Sequence, residues 1–169
     1  MKDIHDLFIY ELQLMHDGER QIIHALPRVI EAVSSDKLKN ALQDHLKETE
    51  EHVKRLESIL QELGKTPTGE TSEVMQGLLN EAEKVLRTDY EANVKDAALI
   101  NCAQHVEHFE IASYGILKSL AKMFKYERIL AVLEKTSKEE GHANKKLTEI
   151  AEGSVFSEGV NIKAKKRAA

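Results

Sequence analysis

The sequence predicts an all-α chain, a four-helix bundle made of two antiparallel hairpins joined by a short crossover helix. Three observations carry this. Pro occurs only 2 times and Gly 8 times in 169 residues, so little interrupts a helix-favouring mix of Ala, Leu, Glu and Lys. Apolar residues recur at spacings of three, four or seven along four long stretches. No alternating strand pattern of useful length occurs.

The first long helix is expected from about residue 2 to 33, with Ile4, Phe8, Leu12, Met15, Ile22, Leu26, Val29 and Val33 on its apolar face. Pro27 lies inside it and is expected to kink it, because it lacks an amide donor and crowds the preceding turn. Ser34-Ser35-Asp36 breaks the pattern and offers an N-cap. The second helix runs from about 36 to 63 on Leu38, Leu42, Leu56, Ile59 and Leu63, and Gly64 ends it as a C′ residue. Residues 64–71, GKTPTGET, read as a loop. Thr71 or Ser72 then caps a shorter helix to about 86, with Glu73 in its first turn. After a turn at 88–93, long helices follow at about 94–124 and 127–152. Tight joins make each consecutive pair antiparallel, and the long middle segment supplies the crossover. Periodicity stops at Gly153, so residues 1–152 form the predicted domain and 153–169 a flexible basic tail.

Hydrophobic residues make up 41% and charged residues 31%, an ordinary soluble balance. The net charge of -5 leaves no global footprint for nucleic acid. The terminal KAKKRAA is basic but short and lacks aromatics, so it reads as solvated tail. The single Cys102 excludes an internal disulfide and a cysteine-based zinc or rubredoxin-like iron site in this chain. With no signal-type apolar region and no run near the ~20 residues that span a bilayer, a cytoplasmic protein without membrane association is expected.

Polar residues interrupt the apolar stripes at one level. At about 100° per residue, Leu38, Leu42, His45, Glu48, Thr49, His52, Leu56 and Ile59 fall within about 60° of one direction on the second helix. The fourth long helix places Glu140 and Asn144 at the centre of its face, while His142 lies about 160° from Glu140 and reads as a surface residue. The first contributes His16 and Glu19, the third Glu107 and Glu110. The hairpins thus form a degenerate repeat. His16-x-x-Glu19 corresponds to Glu107-x-x-Glu110, and Glu48-x-x-x-His52 to Glu140-x-x-x-Asn144.

Burying Glu19, Glu48, Glu107, Glu110 and Glu140 together requires protonation or a counter-charge, since two carboxylates about 4 Å apart repel by roughly 4 kcal/mol at an effective dielectric of 20. Two divalent metals supply that charge. Carboxylates with one or two imidazoles suit iron, or alternatively manganese, and the absence of thiolates argues against structural zinc. His16 and His45 serve as ligands or orient the carboxylates, and His108 is a candidate beside Glu107. The competing reading is a salt-bridged network, but no stripe carries a Lys or Arg that obviously neutralises the carboxylates at that level.

HLKETEEHVKRLE on the second helix and KDAALINCAQHVEHFEIASYGILKSLA on the third resemble the YciF/YciE bacterial stress-protein family. DGERQI and KEEGHANKKLTEIA fit it too, and the likeness covers about residues 3–152. The resemblance implies a ferritin-like, rubrerythrin-like domain, a homodimer and a di-iron centre. Carried over, Glu19, Glu48, Glu107, Glu110 and Glu140 are ligands, with His52 beside them. The chain departs from that pattern in having Asn144 where a full repeat puts His, and i,i+4 rather than i,i+3 Glu/His spacing. It also lacks a rubredoxin-like domain, so a peroxidase cycle needs an external reductant. The expected function is a stress-associated di-iron or di-manganese oxidoreductase acting on peroxide or dioxygen, whether as peroxidase, catalase-like enzyme or ferroxidase. The alternative is a non-catalytic metal-binding or structural protein.

Overall fold

A computed structural model describes residues 1–154 and 157–166. Four long helices form the bundle: α1 (Ile4–Ala32), α2 (Asp36–Glu62), α4 (Ala92–Met123) and α5 (Glu127–Glu152). The crossover helix α3 (Glu73–Arg87) lies against α1 and α4. α1 packs on α2 and α4 on α5, so the two expected hairpins are present. The helices start where their caps dictate. The Asp3, Ser35 and Ser72 side chains accept from the amides of Asp6, Leu38 and Met75. α1 runs on through Pro27.

The two tight ends share one device. At the end of α2, the Lys65 amide donates to Leu60 O and the Gly64 amide to Gln61 O, with Gly64 at φ 68°. At the end of α4, Tyr126 donates to Ala121 O and Lys125 to Lys122 O, with Lys125 at φ 57°. Both are Schellman turns, which need a left-handed residue at C′. Glycine adopts that conformation freely at the first; a lysine is held in it at the second.

A buried carboxylate fixes the other hairpin turn. Asp96 of α4 accepts from the Ser34 amide (2.9 Å), the Ser34 hydroxyl (2.7 Å) and the Ser35 amide (2.8 Å). It thereby ties the α1–α2 join to α4.

Residues 153–166 contain more regular structure than the lost periodicity suggests. β1 (Gly153–Ser154) and β2 (Ser157–Glu158) pair antiparallel, and a short α6 (Val160–Lys166) lies along α4 with Val160 buried. The expected flexible tail is thus replaced, over 157–166, by a strand and a helix too short to leave a periodic signature; residues 155–156 and 167–169 lie outside the described residues. The backbone at Gly153 (φ 87°) approaches Gly159 so closely that a Cβ there would sit 2.3 Å from the Gly159 nitrogen.

The apolar interior has two halves. One is built on Phe8, Leu12, Met15, Leu56, Leu60, Tyr114, Leu117 and Leu133. The other is built on Ile22, Leu26, Leu38, Leu42, Leu99, Ile100, Val106 and Leu147. Along every long helix the switch from one half to the other falls on buried polar residues: His16 and Glu19, His45 to His52, Glu107 and Glu110, Thr136 and Glu140.

Candidate metal centre

The layer between the two apolar halves gathers Glu19 from α1, His45 and His52 from α2, Glu107 and Glu110 from α4, and Glu140 from α5. Glu19, His52, Glu110 and Glu140 have no exposed surface. Two groupings result, each with ligand-type atoms within 4.8 Å of one another: Glu19, His52 and Glu140, and His45, Glu107, Glu110 and Glu140. Each could hold a metal ion, and Glu140 belongs to both.

Eight buried side-chain atoms have no hydrogen-bond partner among the described residues. They are Glu19 Oε2, His45 Nδ1, His52 Nδ1, Glu107 Oε2, and both oxygens of Glu110 and of Glu140. All eight belong to this layer. His52 Nδ1 lies 2.9 Å from Glu140 Oε1 and 3.5 Å from Glu19 Oε1, yet neither contact has the alignment of a hydrogen bond. Lone-pair atoms that converge without bonding one another are what a cation site needs, and what an apolar core avoids.

Electrostatics follow from this crowding. Burial, then Glu140 and Glu19, push Glu107 up to about 9. Glu110 is raised well above the carboxylate range by burial first and then by Glu140 and Glu19. Glu140 rises to about 7, where burial outweighs the opposing effect of His52. Burial, then His52, bring His45 down to about 4, so it is neutral near pH 7. His52 goes the other way. Burial alone would lower it, but Glu140 and Glu19 more than offset this and lift it to about 10.

Surrounding residues hold the layer in place. His52 Nε2 donates to Glu139 Oε2 (3.1 Å), so Nδ1 faces inward. Glu139 is in turn gripped by both terminal nitrogens of Arg55, which also donates to Thr136 Oγ1 at 3.0 Å. Burial pushes Glu139 up, but Arg55 and His52 outweigh it and hold its carboxyl below the usual range. The Tyr114 hydroxyl donates to Glu19 Oε1, and burial keeps that phenol protonated far above neutrality. The Thr49 hydroxyl donates to the His45 carbonyl at 2.9 Å.

Not every residue singled out from sequence joins the layer. Glu48 is exposed. It is offset about 60° from His45 at the stripe's edge, whereas Thr49 and His52 lie nearer the centre and take the buried positions. His16 is buried but its Nε2 lies 3.3 Å from Glu57 Oε1, away from both groupings. Asn144 is half-buried and accepts from Gln104 Nε2 at 3.4 Å. His108 is exposed and its Nδ1 donates to Gln104 O at 2.7 Å. The second imidazole is supplied by His45, seven residues before His52 on the same helix, rather than by position 144. Arg55, Glu139 and the Tyr114 hydroxyl escaped the sequence reading. Tyr114 is one turn beyond Glu110 on the same face, and that was the available signal.

Residues 3–161 match a family model described as a domain of unknown function, DUF892. The chain belongs to the DUF892 family. Among relatives of this family, Protein YciF of Escherichia coli is 37% identical over 162 residues, covering 95% of this chain and 98% of that protein. The crystal structure of the E. coli stress protein YciF superposes with a TM-score of 0.85 at 37% identity, over 88% of this chain and 94% of the other. YcfI of Rhodopseudomonas palustris, described as a candidate structural protein, gives a TM-score of 0.86 at 35% identity, over 89% and 96%. Every residue of the buried layer lies within the DUF892 match. No helix among the described residues is long and apolar enough to cross a membrane.

Proposed function

We propose that the buried layer is a dinuclear metal centre, holding iron or alternatively manganese, that acts on peroxide or dioxygen in a stress-associated role. The observation that carries this is the set of eight unpartnered atoms, all aimed into one layer. The donor set fits. Glu19, Glu107, Glu110 and Glu140 carry four formal negative charges and His45 and His52 can be neutral, so two divalent ions would balance them. Oxygen and imidazole donors without thiolate suit iron and manganese. Glu19, His52 and Glu140 would hold one ion, His45, Glu107, Glu110 and Glu140 the other.

When bound, the ions supply Lewis acidity and one-electron redox change. The chain's own residues do the rest. Glu140 reaches both positions. Tyr114 holds one oxygen of Glu19 and leaves the other free. Arg55 and Glu139 fix the His52 ring, and apolar halves flank the layer on both sides. An apolar cavity of about 40 Å3 reaches His45 and Glu107 from the side of α1, α3 and α4. About 10–15 Å3 on this measure holds one water, so the space admits a molecule as small as peroxide or dioxygen. A catalase-like cycle needs no outside electrons; a peroxidase cycle draws on an external reductant.

The description of YcfI as a candidate structural protein favours a second reading, a non-catalytic bundle that metal merely stabilises. One pair of measurements decides. Metal content is determined by mass spectrometry on the purified protein and on Glu140→Ala, and peroxide consumption is followed on the loaded protein. About two iron or manganese per chain, lost in the variant, with peroxide turnover, supports the proposal. Loading without turnover supports the structural reading. A folded wild type that takes up neither metal overturns both.

A further inference from the structure

Between α2 and α5 a cavity of about 360 Å3 leads from solvent to the buried layer. Its floor is His45 and Glu107, which are 7% and 2% exposed. Each presents an unpartnered atom, His45 Nδ1 and Glu107 Oε2. Its rim carries Asp44, Lys47, Glu48, His142 and Lys146.

The rim charges are not equivalent. Lys146 Nζ lies 3.1 Å from Asp44 Oδ2 and Lys47 Nζ 3.7 Å from Asp44 Oδ1, so both cations are committed to one carboxylate. Glu48 and His142 make no hydrogen bond or ion pair among the described residues. Asp44 and Glu48 together balance the two lysines, so the mouth carries no net positive charge, and Glu48 is the carboxylate left without a partner. An oxygen donor and an imidazole stand there, and the same two donor types wait at the floor. The same donor types at mouth and floor give a cation a place to rest at each end of the path. Oxygen with imidazole is also the donor pair of borderline divalent metals.

We propose that the opening between α2 and α5 is the loading port of the metal centre, with Glu48 and His142 as a transient landing site for a divalent cation bound for His45 and Glu107. The proposal rests on the metal reading of the buried layer. It also gives Glu48 a role that its exposed position permits: it meets the ion first and does not keep it.

The test is rapid mixing of metal-free protein with Co2+, following the visible cobalt absorbance, with the final cobalt per chain measured separately. Glu48→Gln and His142→Ala should each slow loading about tenfold, the lower end of electrostatic rate effects. The final stoichiometry and spectrum should match wild type. His105→Ala, on the exposed face of α4, should load at the wild-type rate. Full loading at unchanged rates in both rim variants would overturn the port and leave the metal centre standing. A Glu48→Gln protein that binds less cobalt at equilibrium would make Glu48 a permanent ligand and overturn the landing site. A wild type that binds no cobalt would remove the metal centre and the port with it.

Discussion

Glu139 Oε2 lies 3.1 Å from His52 Nε2, and this contact decides which nitrogen of His52 faces the buried carboxylates. The outer nitrogen is occupied, so Nδ1 is left for Glu19 and Glu140. Carboxylate–imidazole pairs of this kind typically change metal affinity 10–100-fold. Glu139→Gln should therefore weaken metal binding by about that factor without unfolding the chain. In the metal-free protein the His52 pKa should fall below its value of about 10. NMR titration of the ring and calorimetric metal binding check the two halves; an unchanged affinity would remove Glu139 from the centre.

Glu110 is fully buried with both oxygens unpartnered. Such a group opposes folding unless an ion compensates it. Glu110→Leu should raise the unfolding free energy of the metal-free protein by about 1–3 kcal/mol while lowering metal affinity. Denaturant melts with and without chelator would show it. A less stable metal-free variant would mean that the carboxyl is satisfied in some other way.

The metal-free protein should lose stability as pH rises from 6.5 to 9. Glu107 at about 9 and Glu140 at about 7 sit above the ordinary 4.5, and His52 at about 10 sits above 6.5. Each binds its proton more tightly folded than unfolded, so its contribution is full at low pH and is lost as pH climbs through the folded value. His45, lowered to about 4 from 6.5, has the opposite sign but acts only below that window. Metal affinity should rise over the same interval, because the ligands must shed protons to bind. Thermal melts of chelator-treated protein at several pH values check the sign; a rising Tm would contradict it.

Asp96 holds two amides and one hydroxyl of the α1–α2 turn while 1% exposed. Asp96→Ala should cost about 1–3 kcal/mol, since it removes three hydrogen bonds to the turn, each worth roughly 0.5–1.5 kcal/mol net. The denaturation midpoint measures it. A loss under 1 kcal/mol would mean that water reaches the turn.

Lys125 is held at φ 57° in the α4–α5 turn. Lys125→Gly should stabilise the protein by about 0.5–1 kcal/mol, the relief of left-handed strain less the added freedom of the unfolded chain. A lowered denaturation midpoint would show that the lysine side chain contributes more than its backbone costs.

The long helices were legible because stripe, cap and terminator agree at each end: Ser35 and Ser72 cap, and Gly64 stops, where the pattern breaks. The polar layer was legible because Glu19, His52, Glu107, Glu110 and Glu140 stand where Leu or Ala would otherwise recur. Glu48 marks the limit of that logic. Within a stripe about 120° wide, a residue at its edge faces the core or the solvent according to rotamer and neighbour, which periodicity does not encode. Asp96 and Glu139 were hidden for another reason. Asp96 bonds residues more than 60 positions away, and Glu139 lies about 100° off the Glu140 face. α6 is a single seven-residue helix whose buried Val160 has no periodic companion.

The division of the interior into two apolar halves bears on how long a chain survives. An ion held only by the folded seam stabilises the molecule that binds it, so on the metal reading an unfilled molecule opens more often than a filled one. Opening at the seam uncovers both halves together, and proteases act on the open population. Newly made chains that meet no ion would be cleared while filled ones persist. The cellular amount of this protein would then follow the supply of its metal, with the fold itself acting as the gauge.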